Sequence, residues 1–174
     1  LSVYLWIYEE GAVEVNMVRK ATKKDIARIA EIIIFGKRVA YRSIFRNDEV
    51  SFNEIQVIPL WEEYSNNPEK LEHMLVFDDG IVKGVINCKP VGTEVEICEV
   101  YVEPFFKGPG IGRKLLEHVI AESKEGGKSR IFLWVLEENG AARRFYEANG
   151  FRASGEICLV EGTDKVDMGY EYVL

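Results

Sequence analysis

The chain has 174 residues, 47% hydrophobic and 29% charged, with a net charge of −7. That length suits one domain with a sizeable core. The acidic balance argues against a nucleic-acid partner, since duplex binders carry a basic excess. No run approaches the roughly 20 apolar residues of a membrane span, so no membrane role is expected. Two histidines, His73 and His118, with no CxxC or HxxxH spacing, give zinc no ligand set, and no metal is expected. Cys88, Cys98 and Cys158 are far apart and sit in apolar, strand-like runs. They read as reduced, buried thiols of a cytoplasmic protein.

In chain order, "LSVYLWIY" lacks a basic leader and runs into Glu9 and Glu10, so it does not read as a signal peptide. Residues 1–16 read as an N-terminal extension that could add a strand pair turning at Gly11, and 17–174 as a single domain. "MVRKA" predicts a strand. Thr22, with Asp25 three residues on, resembles a capping box opening a helix. Ile26, Ile29, Ala30, Ile33 and Ile34 give that helix one apolar stripe, and Gly36 is expected to end or kink it. "KRVAYRSIF" could continue as helix. Ser51 and Glu54 predict a short helix that Pro59 interrupts. The aromatic residues of this segment, Tyr41, Phe45, Phe52, Trp61 and Tyr64, suit a core.

Beyond residue 73 the pattern is regular. "HMLVF" and "IVKGVINCK" flank Asp79-Gly80, a hairpin signal. "EVEICEVYV" predicts the next strand. Glycines then precede a helix over 112–125, with Ile111, Leu115, Leu116, Val119 and Ile120 on one face. "RIFLWVL" reads as a strand buried on both faces. A helix over 140–149 ends at Gly150, and "FRASGEICLV" and "DKVDMGYEYVL" close as two strands around Gly162. The order is β-α-α-β-β-β-α-β-α-β-β. It predicts an α/β (α+β) fold: a mixed, mostly antiparallel sheet of about seven strands with helices on both faces.

"FFKGPGIGRKLLEHVI", 105–120, places Gly108, Gly110 and Gly112 at alternate positions before a helix. A tight turn is one reading. A phosphate cradle, with bare backbone N–H groups at a helix N-terminus, is the other. The stretch fails the dinucleotide fingerprint, because position 113 is Arg113, and "GGKS" at 126–129 lacks the first glycine of a nucleotide-binding P-loop. In "LWVLEENGAARRFYEANGF", 133–151, Asn139 stands at a helix N-cap. Ala142 and Tyr146 follow on the same side. They can serve a ligand, or only a cap and a core contact.

Together, "VYVEPFFKGPGIGRKLLEHVI" and "NGAARRFYEANGF" resemble the GNAT superfamily of acyl-CoA-dependent N-acetyltransferases. Val102, Pro104, Lys107, Gly110 and Gly112 match its pyrophosphate motif. Asn139, Ala142, Tyr146, Gly150 and Phe151 match its second motif. The resemblance implies a GNAT-like fold and direct transfer of an acetyl group from acetyl-CoA to a primary amine in a ternary complex. It implies that Val100, Val102, Lys107, Gly108, Gly110, Ile111, Gly112, Arg113, Asn139, Ala142 and Tyr146 contact the cosubstrate. Tyr146 would be the acid for the leaving thiolate. Glu96 is the first candidate for the base, followed by Glu94 and Glu99, with a water chain as the other route. Glu94 and Glu96 share a strand face, and Glu99 takes the other unless a bulge changes the phase. Two departures stand out. Lys107 replaces Gln or Arg, and Pro109 carries no N–H. Trp134 stands about where some protein-N-terminus acetylating relatives carry a glutamate.

The implied acceptor is a small-molecule or peptide amine, bound by about 37–66 and 160–165, where Asp48, Glu49, Glu54, Glu62 and Glu63 would suit a cation. A homodimer is one expected assembly. The alternative is a non-catalytic module of the same fold that binds acyl-CoA as a sensor or assembly domain.

Overall fold

In a computed structural model, residues 17–45, 56–106, 108 and 110–174 are described. The expected N-terminal strand pair, the helix start at Ser51, and Lys107, Pro109, Asp48, Glu49, Phe52 and Glu54 fall outside the described residues.

The strands are β1 (Val18–Lys20), β2 (Met74–Asp78), β3 (Val82–Val91), β4 (Glu94–Val102), β5 (Arg130–Leu136), β6 (Arg152–Leu159) and β7 (Val166–Val173). The helices are α1 (Ile26–Phe45), α2 (Val57–Asn66), α3 (Ile111–Glu125) and α4 (Gly140–Ala148). This is the element order expected from the sequence. The sheet runs β1-β2-β3-β4-β5-β7-β6, and every pairing is antiparallel except β4 with β5.

Each face has its own core. On one, Ile26, Ile29, Ile32 and Ile33 of α1 and Tyr64 of α2 pack against Met74, Val76, Val82 and Val85. On the other, Leu115, Leu116 and Val119 of α3 and Tyr146 of α4 pack against Ile97, Ile131, Leu133 and Tyr170. Burial of a single such side chain contributes about 1.5–3 kcal/mol, so these two clusters hold the layers together.

The start of α1 follows the capping reading. The Asp25 carboxylate accepts from the Thr22 N–H and hydroxyl, both at 2.8 Å. Arg19 adds a fork to Asp25 at 2.8 and 2.9 Å and reaches Asp78 at 2.7 Å, which ties β1 and β2 to the helix start. The Arg19 guanidinium, first among several causes, holds the Asp25 carboxyl at about 2.

Four expectations are corrected. Gly36 does not end α1, which continues to Phe45. A Cβ at Gly36 would lie 2.5 Å from Tyr101 Cδ1, so this glycine lets the helix approach β4. Pro59 does not interrupt α2, because it sits in the first turn, where an N–H has no intrahelical acceptor to lose. β5 is not buried evenly on both faces. Ile131, Leu133 and Val135 face the α3 side, while Trp134 on the opposite face is 38% exposed. The cysteines are not all buried: Cys98 and Cys158 are exposed and Cys88 is half-buried. Cys158 lies on edge strand β6, and Cys98 lies where β4 breaks register with β3.

Candidate active site

The break in β4 organises the site. Cys88 pairs with Ile97, but its neighbour Asn87 pairs with Glu99, so Cys98 is the extra residue of a bulge. Val95 and Ile97 before it, and Val100 and Val102 after it, all pack in the α3-side core. Glu99 and Tyr101 therefore turn toward the α1 side, the face shared by Glu94 and Glu96. The bulge that the alternation of the sequence left open is present, and it changes the phase of Glu99.

The bulge also parts the sheet. β4 and β5 pair in parallel only from Glu94↔Arg130 to Ile97↔Leu133. Beyond that point a cavity of about 710 Å³ opens between the two strands. Val100 and Val102 of β4 form one wall, and α1 from Gly36 to Ile44 another. Trp134 and Val135 line the β5 side.

The glycine turn closes one end. Gly108 and Gly110 have φ of +112° and +79°, in the left-handed region that disfavours other residues, and a Cβ on either would meet nothing within 4 Å. Gly110 is the N-cap of α3, and the first intrahelical bond runs from Lys114 N–H to the Gly110 carbonyl. The N–H groups of Ile111, Gly112 and Arg113 precede that bond, at the positive end of the helix dipole. All three residues line the cavity. Gly112 does a different job from its two predecessors. A Cβ there would lie 3.1 Å from Phe145 Cζ, so this glycine brings α3 against α4.

α4 supplies the opposite wall. Asn139 caps it, its side-chain oxygen accepting from the Ala142 N–H at 3.2 Å. Asn139, Ala142 and Tyr146 all line the cavity, as their spacing on one side of a helix suggests. Tyr146 is 9% exposed, and burial, then Tyr41 and Cys88, push its phenol above the ordinary range. It stays protonated at neutral pH and can donate. Beneath it, Tyr170 fastens α4 to β7. Its hydroxyl donates to Glu147 Oε1 at 2.7 Å and accepts from Arg143 Nε at 3.2 Å.

Two features near the bulge had no signal in the sequence. The hydroxyls of Tyr41 and Tyr101 lie 3.3 Å apart, joining α1 to β4 beside the cavity. Burial, then Tyr41, raises the Tyr101 phenol well above its usual value. Lys37 pairs with Glu99 at 2.7 Å. Glu99 lines the cavity, whereas Glu96 and Glu94 do not. Glu96 lies in register with Phe132 and Lys89, lower on the same sheet face. Glu94 is taken up by Arg130 at 2.7 Å. Lys107, expected at the turn, is outside the described residues. Among the described residues, no three of His, Cys, Asp and Glu cluster to hold a metal. No helix among them is long and apolar enough to cross a membrane.

Residues 38–151 match the sequence model of the Acetyltransferase (GNAT) family. The chain belongs to that family. Among curated relatives, an uncharacterised N-acetyltransferase of Methanocaldococcus jannaschii is 37% identical over 89 residues, 42% of this chain and 39% of the relative. The ribosomal protein bS18-alanine N-acetyltransferase of Escherichia coli is 31% identical over 87 residues, 50% of this chain and 59% of the relative. The matches thus span about two fifths to three fifths of these relatives. Among solved structures, the PaiA N-acetyltransferase of Thermoplasma acidophilum, in complex with coenzyme A, superposes with a TM-score of 0.69. It is 22% identical, over 90% of this chain and 98% of that one. The likeness shows that this GNAT chain has the mixed, mostly antiparallel fold read from its sequence.

Proposed function

We propose that this GNAT chain transfers an acetyl group from acetyl-CoA to a primary amine by direct attack in a ternary complex. One observation carries the reading. The gap between β4 and β5 joins, in a single cavity, an anion-suited helix N-terminus at one end and the Tyr146 phenol beside the bulge.

The cavity suits acetyl-CoA in parts. Gly108 and Gly110 leave room for a pyrophosphate against the N–H groups of 111–113. The cosubstrate supplies an activated thioester carbonyl. Past Ile97 the β4 backbone has no β5 partner, so its polar groups on that side are free for an extended amide-bearing arm. Asn139 keeps its amide N–H₂ for the same ligand after its oxygen has capped α4.

The chain's own groups then have distinct tasks. Glu99, at the bulge and in the cavity, is the carboxylate best placed to accept a proton from an incoming ammonium, directly or through water. Lys37 orients it. Glu96 keeps its sequence-derived candidacy as a more distant relay, because it shares the Glu99 face. As the C–N bond forms and the C–S bond breaks, Tyr146 donates its proton to the departing sulfur. Its raised pKa keeps that proton available at neutral pH. The coenzyme A and acetyl-CoA in solved relatives, and the alanine N-acetyltransferase among the curated ones, support the donor and the amine chemistry.

A thiol-release assay with acetyl-CoA, over a panel of amino-acid amides, polyamines, aminoglycosides and alanine-starting peptides, tests the proposal. Amine-dependent release that falls in Glu99→Gln is the expected result. Tight coenzyme A binding with no release across the panel would favour a non-catalytic acyl-CoA sensor.

A further inference from the structure

A second cavity, of about 250 Å³, lies at the other end of α3 and shares no lining residue with the first. Its floor is apolar: Leu75 of β2, Val95 of β4 and Val119 of α3 are each 8% exposed or less. Cys88 adds to that floor rather than bringing reactivity, because burial pushes its thiol up to about 12. Ser123 of α3 is 6% exposed and lines the same cavity.

The rim carries charges of both signs. Lys20 and Lys128 stand with Glu72 and Glu122 around the same opening. Lys128 Nζ reaches the Gly92 carbonyl at 2.9 Å. Lys20, Glu72 and Glu122 make no ion pair with one another or with other described residues. Two carboxylates disfavour a polyanion here, and two ammonium groups disfavour a polycation. An uncharged apolar molecule would leave all four charges and the Ser123 hydroxyl unused. The volume falls just under the roughly 300–1,000 Å³ of drug-sized sites, which sets the scale at a small metabolite.

We infer that this cavity binds a small zwitterion with an apolar body, of the class of free aliphatic α-amino acids. The ligand carboxylate meets Lys20 and Lys128, its ammonium meets Glu72 and Glu122, and its side chain lies on Leu75, Val95 and Val119 beside the Ser123 hydroxyl. The inference does not depend on the acetyl-transfer reading, since it concerns binding at separate residues.

The test is calorimetric titration of the whole chain with L-leucine and L-methionine at saturating coenzyme A. Leucinamide, which lacks the carboxylate, and 4-methylpentanoate, which lacks the ammonium, serve as paired controls. Saturable leucine binding is expected, with each control at least ~10-fold weaker, as for loss of one charge-assisted contact. Glu122→Gln and Lys20→Gln, both surface changes, should weaken leucine by a similar factor and leave coenzyme A affinity unchanged. Ser123→Val should act likewise, and unfolding midpoints separate a lost site from a lost fold. The inference is overturned by no saturable binding at millimolar leucine. It is equally overturned by leucinamide binding as well as leucine, or by binding that ignores Glu122 and Lys20 but disappears in Glu99→Gln, which would place the amino acid in the first cavity.

Discussion

The glycine turn can be tested by comparing Gly110→Ala with Gly110→Asp. Gly110 has φ of +79° and open space where a Cβ would stand. Both variants therefore carry a backbone penalty, about 1–2 kcal/mol for Ala and less for Asp, which tolerates this region better, and the Cβ of either meets no protein atom. They differ in charge. Residue 110 is the N-cap of α3, so an Asp carboxylate interacts favourably with the helix dipole, by about 0.3–1 kcal/mol. In the free protein Gly110→Asp should unfold no more easily than Gly110→Ala. With a pyrophosphate on the N–H groups of 111–113 the order reverses. A carboxylate about 5 Å from two negative charges, at an effective dielectric of about 40–80, costs about 2–3 kcal/mol by Coulomb's law. Coenzyme A should bind Gly110→Asp roughly 30- to 150-fold more weakly than Gly110→Ala, and the gap should narrow as salt is added. Calorimetric titration at two salt concentrations, beside thermal unfolding of both proteins, supplies the numbers. Equal coenzyme A affinity for the two folded variants at low salt would remove the anion cradle from this turn.

Tyr146→Phe keeps the ring in its packing and removes the hydroxyl. Turnover is expected to fall by ~10²-fold with little change in coenzyme A affinity, and full single-turnover activity would reduce Tyr146 to a packing residue. Tyr170→Phe removes the two hydrogen bonds that fasten α4 to β7. The unfolding midpoint should drop by about 2–4 °C, and an unchanged midpoint would mean that ring packing alone holds α4. Asp25 has a carboxyl lowered from 3.8 to about 2, chiefly by Arg19, so its contribution to stability is complete above the unfolded value and is lost as pH falls through the folded one. That contribution is about 2 kcal/mol at neutral pH. Denaturant titrations should show Asp25→Asn less stable than the parent at pH 7 and the difference shrinking toward pH 2; a difference that stays constant would assign the effect to packing.

Much of this site was legible in the chain because its signals are local. The N-cap role of Asn139, the placing of Ala142 and Tyr146 on one side, and the positive φ of Gly108 and Gly110 each follow from neighbours within a turn or two. Element order followed from hydrophobic periodicity and from turn pairs such as Asp79-Gly80. Where the local pattern gave way, a distant partner decided. Gly36 carries a helix-breaking propensity, yet α1 runs through it because Tyr101, 65 positions away, needs the space where a Cβ would be. Gly112 belongs by sequence to the turn, but Phe145 of another helix gives it a packing role. Trp134 lies in an apolar run and is nonetheless partly open, since burial of a strand face depends on which helices cover it.

The amino-acid sequence by itself determined the elements, their order and the family, because periodicity, caps and turn chemistry act over a few residues. Only the tertiary structure decided which glutamate reaches the cavity. A strand's alternation assigns Glu99 to the face opposite Glu96, and nothing within β4 announces an extra residue. The pairing with β3 creates the bulge at Cys98, shifts the phase by one and turns Glu99 toward the gap. The same event ends the pairing with β5 at Ile97 and opens the cavity. Register is a relation between strands, so one strand's sequence does not contain it.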